Sequence, residues 1–427
     1  MPRNRHEGLP LAIAKDAPGA MPFPRDFPYP FRAMLSICSD LDETPGEAAY
    51  RETIRFLNGT RDTSMGPGLG LEVGNTMYFD MPKEHFSYWN AGEEGREIVR
   101  ALMRSGHIDC LHSFGDLGIS RAHAERALEE LDRHGCKLGV WVDHGVAPSN
   151  FGSDIMRGSG DVPGSASYHA DLTFGYGIRY VWMGRVTSVV GQDVSRRLRN
   201  VFDAAHPLAS GKTLAKEGIK DLLSETVGGR YAMHAGNHLL REVTLRDGRC
   251  ALEFIRCNPH WGGVSSFDTA EGLGRVLTPN VLDLLEERRG VCVQYTHLGK
   301  VRDRERPLRG ESVAALRNLA ERVRDGRILL TTTRRLLEYA TIRRSHRYRV
   351  TREGDWTLVM VEESNGGEPA GRGAGVPEGL TFYNGDPEKT RLFFNGREVS
   401  GLHRNPPDGT GRRSVSVPWI PLRMPEI

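Results

Sequence analysis

Two carboxylates separated by one residue follow the first apolar run of the sequence. The run FRAMLSIC covers residues 31 to 38, and Asp40 and Asp42 come directly after it. In an extended chain, residues i and i+2 point to the same side. Two such carboxylates repel each other and shift each other's pKa unless they share a cation or a proton. The pair therefore predicts a shared cation or a shared proton, with helix capping by Asp42 as the structural alternative.

A histidine and an aspartate follow another apolar run, HIDCLHS at 107 to 113. His112 and Asp116 are four residues apart, so they face the same way if one helical turn follows the strand. Imidazole and carboxylate together suit a divalent ion such as zinc and leave room for a bound water. A His and an Asp four residues apart recur by chance in many sequences. This pair is informative because it follows a predicted strand.

Two further runs end in residues that can transfer protons. Asp143 and His144 end or follow KLGVWVD at 137 to 143, and His297 follows GVCVQYT at 290 to 296. A histidine at such a position can act as a general acid or can be a structural hydrogen-bonding residue. Four strand ends that bring Asp or His to one rim favour a catalytic site.

The elements that must position these residues alternate regularly. Eight β-like runs are separated by helical patterns between residues 32 and 342, which is typical of βα units around a parallel sheet. The runs lie at 31–38, 71–79, 107–113, 137–143, 178–184, 250–256, 290–296 and 327–332. Helix-capping residues support the helices between them, such as Thr278 before Pro279. We predict an α/β barrel of seven or eight strands, in which chemistry is done at the C-terminal ends of the strands.

The sequence outside this region has a different pattern. Residues 1–30 are rich in Pro and aromatic residues, which predicts an extended arm. Residues 343–427 contain short alternating strands with turn signals such as NGD, which predicts an antiparallel β-sandwich-like domain. The exposed edges of such strands would also allow oligomerisation.

The composition argues against several classes of protein. The 427 residues carry a net charge of only +2, so no electrostatic footprint indicates binding to nucleic acid or to a membrane surface. No apolar stretch approaches the ~18 residues of a membrane span. Six scattered cysteines without CxxC spacing indicate free thiols of a reducing compartment. We therefore expect a soluble cytoplasmic protein.

The motifs resemble those of the polysaccharide deacetylase family of carbohydrate esterases. Residues 39 to 42, Ser-Asp-Leu-Asp, resemble the family's paired-Asp motif, and His112-Ser-Phe-Gly-Asp116 resembles its H-(S/T)-x-x-H motif. The run Gln-Tyr-Thr-His297-Leu-Gly resembles its last motif. The resemblance covers residues 31 to 342. Two departures are that Leu41 splits the Asp pair and that Asp116 replaces the second metal-binding His.

This resemblance implies a metal-dependent hydrolase that removes an acetyl group from an N-acetylated sugar or glycoconjugate. Asp42, His112 and Asp116 would bind a divalent metal, Asp40 would be the base and His297 the acid, although the two Asp roles could be exchanged. Zinc is the expected ion, and Mn, Co, Ni or Mg are compatible with the altered ligands.

Further residues are candidates for the same site. Asp143, His144, Arg185 and Trp261 are the predicted substrate-binding residues. Trp261 would stack on a sugar ring or pack in the core. Arg185 or Arg256, each after a predicted strand, would orient the catalytic carboxylate.

Two other functions fit the same residues. Asp40 and Asp143 would serve as the carboxylate pair of a glycoside hydrolase. A carbohydrate-binding protein that has lost its metal and its catalytic activity is the third possibility.

Overall fold

The computed structural model describes residues 21–40, 43–194, 207–226, 231–260, 267–308, 310–363 and 376–427. These residues form two compact units, and each consists of two stretches of chain. The larger unit contains residues 30–342 and 420–427, and the smaller unit contains the residues up to Tyr29 together with 343–419.

The helices of the described chain are listed here in chain order. They are α1 (Glu47–Asn58), α2 (Glu93–Arg104), α3 (Arg121–Arg133), α4 (Ala170–Tyr176), α5 (Pro207–Thr226), α6 (Leu273–Val276), α7 (Pro279–Arg288), α8 (Glu311–Arg324) and α9 (Thr333–Ser345). None of the helices in this part of the chain is long and apolar enough to cross a lipid bilayer.

The larger unit contains thirteen of the described strands. They are β2 (Ala33–Ser39), β3 (Asp62–Thr63), β4 (Gly66–Pro67), β5 (Gly74–Met77), β6 (Ile108–His112), β7 (Val140–Val142), β8 (Tyr180–Trp182), β9 (Val186–Thr187), β10 (Leu240–Thr244), β11 (Cys250–Phe254), β12 (Arg256–Cys257), β13 (Val291–Thr296) and β14 (Ile328–Leu330). Each of the eight predicted runs therefore contains a strand, and the run at 250–256 contains β11 and the first residue of β12. The sequence analysis did not predict β3, β4, β9 and β10.

Most of these strands form one curled sheet. Their order is β10-β11-β8-β7-β6-β5-β2-β13-β12-β9, with β14 also beside β2. All pairs along this order are parallel except β10 with β11. The sheet is a half-barrel along this path, and the complete barrel stays a prediction. Because the strands are parallel, β2, β5, β6, β7 and β13 end at the same edge of the sheet.

Local sequence explains where the elements begin and end. The side chain of Thr278 accepts a hydrogen bond from the backbone N–H of Val281, and Pro279 is the first residue of α7, as predicted. The strands β2, β6 and β13 are buried along their whole length. This explains their continuous apolar runs, because parallel strands are covered on both faces.

The smaller unit consists of two four-stranded sheets. Its strands are β1 (Phe23–Pro24), β15 (His346–Glu353), β16 (Trp356–Glu363), β17 (Thr381–Tyr383), β18 (Thr390–Phe394), β19 (Arg397–Glu398), β20 (His403–Asn405) and β21 (Ser414–Ser416). The sheet orders are β15-β16-β18-β19 and β1-β17-β21-β20. Both sheets contribute to one hydrophobic core, with Val359 and Leu392 from the first and Phe382 and Val415 from the second.

One pair in the smaller unit differs from the prediction of an antiparallel domain. Strand β18 lies parallel to β16, whereas the other pairs are antiparallel. After β16 the chain forms β17 in the other sheet and then returns. It therefore enters β18 from the same end at which β16 began.

Candidate active site

The first strand of the sheet ends in a buried carboxylate that is held by a buried arginine. Asp40 follows β2 directly, and Arg256 begins β12. The two terminal nitrogens of Arg256 donate to the two carboxylate oxygens of Asp40 at 2.7 and 3.0 Å. The exposed fraction is 0% for Arg256 and 1% for Asp40. Such a bidentate pair fixes the plane of the carboxylate as well as its charge.

Aromatic rings surround the arginine. The Cζ atom of Arg256 lies 4.1 Å from the centre of the Trp182 ring and 5.2 Å from that of Tyr295. These rings stack on each other with centres 5.6 Å apart. A guanidinium packed on aromatic faces gains cation–π attraction, which partly compensates for its loss of water.

His112, the last residue of β6, approaches Asp40 from one side. Its Nδ1 lies 3.7 Å from Oδ1 of Asp40 and 3.3 Å from the Thr76 hydroxyl. Its Nε2 lies 3.3 Å from the Tyr78 hydroxyl, and the Tyr78 ring stacks on the imidazole with centres 4.3 Å apart.

His297 approaches Asp40 from the other side, directly after β13. Its Nε2 lies 3.8 Å from Oδ2 of Asp40 and 3.3 Å from the Tyr295 hydroxyl. Its Nδ1 lies 3.0 Å from a carboxylate oxygen of Asp268. One carboxylate therefore has a histidine beside each of its oxygens, and one of these histidines has a carboxylate of its own.

The charges around Asp40 decide its protonation. Burial alone would raise the pKa of its carboxyl group, but the charge of Arg256 and those of the two neighbouring histidines lower it by more. The pKa of Asp40 is consequently below its ordinary value, and the group is ionised at neutral pH.

A third histidine lies next to His112, on the loop that follows β7. The ring centres of His112 and His144 are 4.9 Å apart in an edge-on arrangement. Nδ1 of His144 lies 3.0 Å from Oδ1 of Asp116. The two loops that carry Asp116 and His144 thus meet at the same edge of the sheet as Asp40.

Asp143 makes its hydrogen bonds within its own strand and loop. Its buried carboxyl group accepts from the indole N–H of Trp141 and from the backbone N–H groups of Phe151 and Gly152, at 2.7 to 2.9 Å. Burial raises the pKa of Asp143 to about 7, although these hydrogen bonds oppose the shift. These contacts fix the loop after β7, and a role in substrate binding stays a prediction.

Arg185 lies in a separate ion-pair network. Its guanidinium contacts Asp154 at 2.9 Å and Glu253 at 3.0 Å. Of the two arginines that the sequence analysis proposed to orient the catalytic carboxylate, Arg256 is the one that contacts Asp40. Asp42 and Trp261 lie outside the described residues.

The sequence analysis missed four polar partners in this site, which are Thr76, Tyr78, Asp268 and Tyr295. Asp268 lies in a loop without periodic pattern, so nothing in the sequence connects it with His297. Tyr78 and Tyr295 looked like ordinary apolar strand residues, although each places a hydroxyl group against a histidine.

Imidazole and carboxylate groups lie close together at this edge of the sheet. Two imidazoles lie side by side, and carboxylates lie beside both. Within the described ranges, which do not include Asp42, no group of three His, Cys, Asp or Glu side chains is arranged to hold a metal ion. The metal therefore stays a prediction.

Comparisons with known proteins identify no relative. No family model, no curated protein and no solved structure matches this chain.

Proposed function

We propose that this chain is a hydrolase that removes the acetyl group from an N-acetylated sugar or glycoconjugate, with Asp40 as general base and His297 as general acid. The observation that supports this most directly is the arrangement of Asp40. It is an ionised carboxylate locked by Arg256, with a histidine beside each oxygen. The substrate class rests on the resemblance of the motifs to those of the polysaccharide deacetylases.

Asp40 has the properties of a positioned base. Amide hydrolysis begins when a water molecule attacks the carbonyl carbon, and a base must take a proton from this water. Arg256 keeps the carboxylate ionised and fixes its orientation. It therefore reduces the cost of placing the base against the water.

His297 is placed to complete the reaction. If its Nδ1 carries a proton that is directed at Asp268, its Nε2 faces Asp40. The protonated imidazole would then donate from Nε2 to the amine as the C–N bond breaks. The amide and water give acetate and an amine, and Asp268 stabilises the imidazolium form of the acid.

A divalent metal is part of this proposal. Asp42, His112 and Asp116 are the predicted ligands, with zinc as the expected ion and Mn, Co, Ni or Mg as alternatives. A bound ion would polarise the acetyl carbonyl and make the attacking water more acidic. The side-by-side imidazoles of His112 and His144 fit an ion of this kind.

A closed barrel of seven or eight strands is also part of the proposal. Strands β8 and β9 lie on one short stretch of chain, and so do β11 and β12. The first stretch pairs with the second at both ends, through β8 with β11 and β9 with β12. Because β12 also pairs with β13, these pairings link the two sides of the curled sheet in the larger unit.

A cytoplasmic location and a small glycoconjugate substrate belong to the same proposal. All six cysteines are free, five of them buried and Cys250 exposed, and this fits a reducing compartment. A glycoside hydrolase and a carbohydrate-binding protein remain the alternatives.

The test is product analysis with full-length protein. N-Acetylglucosamine, its oligomers and a nucleotide-linked form would be incubated with the protein, and acetate and reducing ends measured separately. Acetate release that is lost in Asp40→Asn, Asp42→Ala and His297→Gln supports the proposal. The matched control is Asp161→Asn, because Asp161 is also a buried carboxylate held by an arginine, Arg246, and makes no contact with Asp40.

Three outcomes would contradict the proposal. New reducing ends without acetate would indicate a glycoside hydrolase. Saturable sugar binding without any product would indicate a binding protein. Undiminished acetate release by metal-stripped Asp42→Ala would show that neither the metal nor Asp42 takes part.

A further inference from the structure

The loops after β6 and β7 bring a carboxylate and an imidazole together beside His112. Nδ1 of His144 and Oδ1 of Asp116 approach to 3.0 Å, which is the separation of an ion pair. The two residues follow different strands, so the fold and not their distance along the chain brings them together.

Four residues form a row from the core toward solvent. Asp40 contacts His112 at 3.7 Å, the His112 ring lies beside the ring of His144, and His144 contacts Asp116. The exposed fraction of the side chain rises along this row, from 1% for Asp40 and His112 to 19% for His144 and 45% for Asp116. Asp116 is therefore the outermost member of the row.

The backbone of His144 is held in place by a side chain. Asn150 accepts from the His144 N–H at 2.9 Å, and its amide donates to the His144 carbonyl at 3.1 Å. The Tyr78 ring packs edge-on against the imidazole with centres 5.1 Å apart. The imidazole of His144 thus lies on a fixed backbone and against a fixed ring, as a metal ligand requires.

The relation between Asp116 and His144 is one that metal-binding histidines commonly have. A histidine that binds a metal through one ring nitrogen usually has its other nitrogen directed at a carboxylate, which orients the ring and increases its basicity. With Nδ1 of His144 beside Asp116, an ion would be bound through Nε2.

We propose that His144 is a ligand of the divalent ion in place of Asp116, and that Asp116 is the positioning residue behind it. This inference rests on the proposed metal-dependent function. Two imidazoles, those of His112 and His144, would then bind the ion, and this favours zinc or cobalt over magnesium. His144, which follows the next strand, would then supply the second imidazole that the HxxxD motif lacks.

The test uses cobalt as the probe and absorption as the readout. Full-length protein would be stripped of metal with a chelator and titrated with Co²⁺, with metal content measured per chain. His144→Cys is the informative variant, because a thiolate bound to Co²⁺ produces a charge-transfer band that nitrogen and oxygen ligands do not. His134→Cys is the matched control, because His134 also faces a carboxylate, that of Glu130 at 3.2 Å, but lies at the end of α3.

We expect one ion per chain in the wild type, a charge-transfer band in His144→Cys and none in His134→Cys. His144→Ala should lose tight binding, whereas Asp116→Asn should keep one ion with affinity lowered about 10- to 100-fold. Circular dichroism would identify any variant that fails to fold. If the His144 variants fail to fold, Asp116→Asn still tests the inference, because it leaves His144 unchanged.

Three results overturn the inference. If the wild type binds one ion, the inference alone fails when His144→Cys gives no band or when Asp116→Asn abolishes binding. If the wild type binds no ion, the metal part of the proposed function fails together with it. Acetate release measured on the same samples distinguishes the two cases.

Discussion

Arg256 and Asp40 are 216 positions apart in the sequence, yet they form a fully buried, two-point ion pair at the ends of β12 and β2. Buried ion pairs contribute little net stability, because desolvation offsets most of the attraction. The proposed role of Asp40 as a base would account for this pair better than its small contribution to stability does.

Arg256→Lys is expected to lower kcat about 100-fold with little change in KM. Lysine keeps the positive charge but cannot donate to both oxygens at once, so the carboxylate is held less firmly. A displacement of about 1 Å at a reacting group costs roughly this factor. Steady-state kinetics of acetate release would measure it.

The control for this variant is Arg322→Lys. Arg322 is also buried and contacts two carboxylates, those of Asp283 and Glu286, between α7 and α8. Equal losses of activity in both variants would contradict a specific role for Arg256.

Asp268→Asn is expected to change the pH dependence of the reaction. The imidazolium form of His297 loses the negative charge beside its Nδ1. The protonated acid then persists only to lower pH, so the alkaline limb of kcat/KM should move to lower pH and the maximal rate should fall. Glu271→Gln, a carboxylate in the same loop that binds the N–H of Arg302, should leave the profile in place.

If the alkaline limb of kcat/KM does not move in Asp268→Asn, the group whose ionisation causes this limb is not His297. An unchanged limb with a lower rate would leave Asp268 as a structural residue only.

Asp143→Asn is expected to remove a pH-dependent part of the stability. The pKa of Asp143 rises from 3.8 in the unfolded chain to about 7 in the folded one. The folded state therefore holds a proton between these values, and the free energy of unfolding falls as the pH rises through them. At about 1.4 kcal/mol for each pKa unit, the loss is at most about 4 kcal/mol.

Urea denaturation at pH 5 and pH 8 would measure this effect. The stability of the variant relative to wild type should increase between the two pH values. Parallel pH dependence of both proteins would mean that Asp143 is not protonated in the folded state.

Gly115→Ala is expected to disturb the loop that carries Asp116. Gly115 has φ +93°, and an added Cβ would lie 2.1 Å from the backbone oxygen of Asp80. The left-handed conformation alone costs about 1–2 kcal/mol, and the backbone clash adds to it. The midpoint temperature of thermal denaturation and the affinity for Co²⁺ should both decrease.

Gly135→Ala is the matched control for the conformational cost. Gly135 has φ +64°, and no atom lies within 4 Å of the position of its added Cβ. This variant should lose some stability without losing Co²⁺ affinity. A similar loss of affinity in both variants would contradict a role for the loop geometry.

The sequence predicted those parts of the structure that depend on local pattern. The apolar runs that became β2, β6 and β13 are continuous because these strands are buried on both faces. Once the strands are known to be parallel, the convergence of Asp40, His112 and His297 follows, since each lies at the carboxyl end of its strand.

The remaining contacts of the site depend on how distant parts of the chain fold back on each other, and no local sequence pattern predicts this. Asp268 meets His297 only because of how a loop folds back, and Arg256 looked like the polar end of a strand and not like the partner of Asp40. Strand β18 was assigned antiparallel from turn signals, because nothing in them shows that the chain visits the other sheet before it returns.

The two compact units are interleaved along the chain. Strand β1 comes before the other described strands and pairs with β17, Phe23 with Tyr383. Its partner is therefore synthesised 360 positions later. The larger unit likewise includes a segment from beyond residue 419, where the backbone N–H of Leu422 donates to Glu72 and Arg55 donates to the carbonyl of Ile427. A fragment cut after residue 342 would therefore lack these contacts, and a nascent chain can complete neither unit until the segment that follows residue 342 has been made.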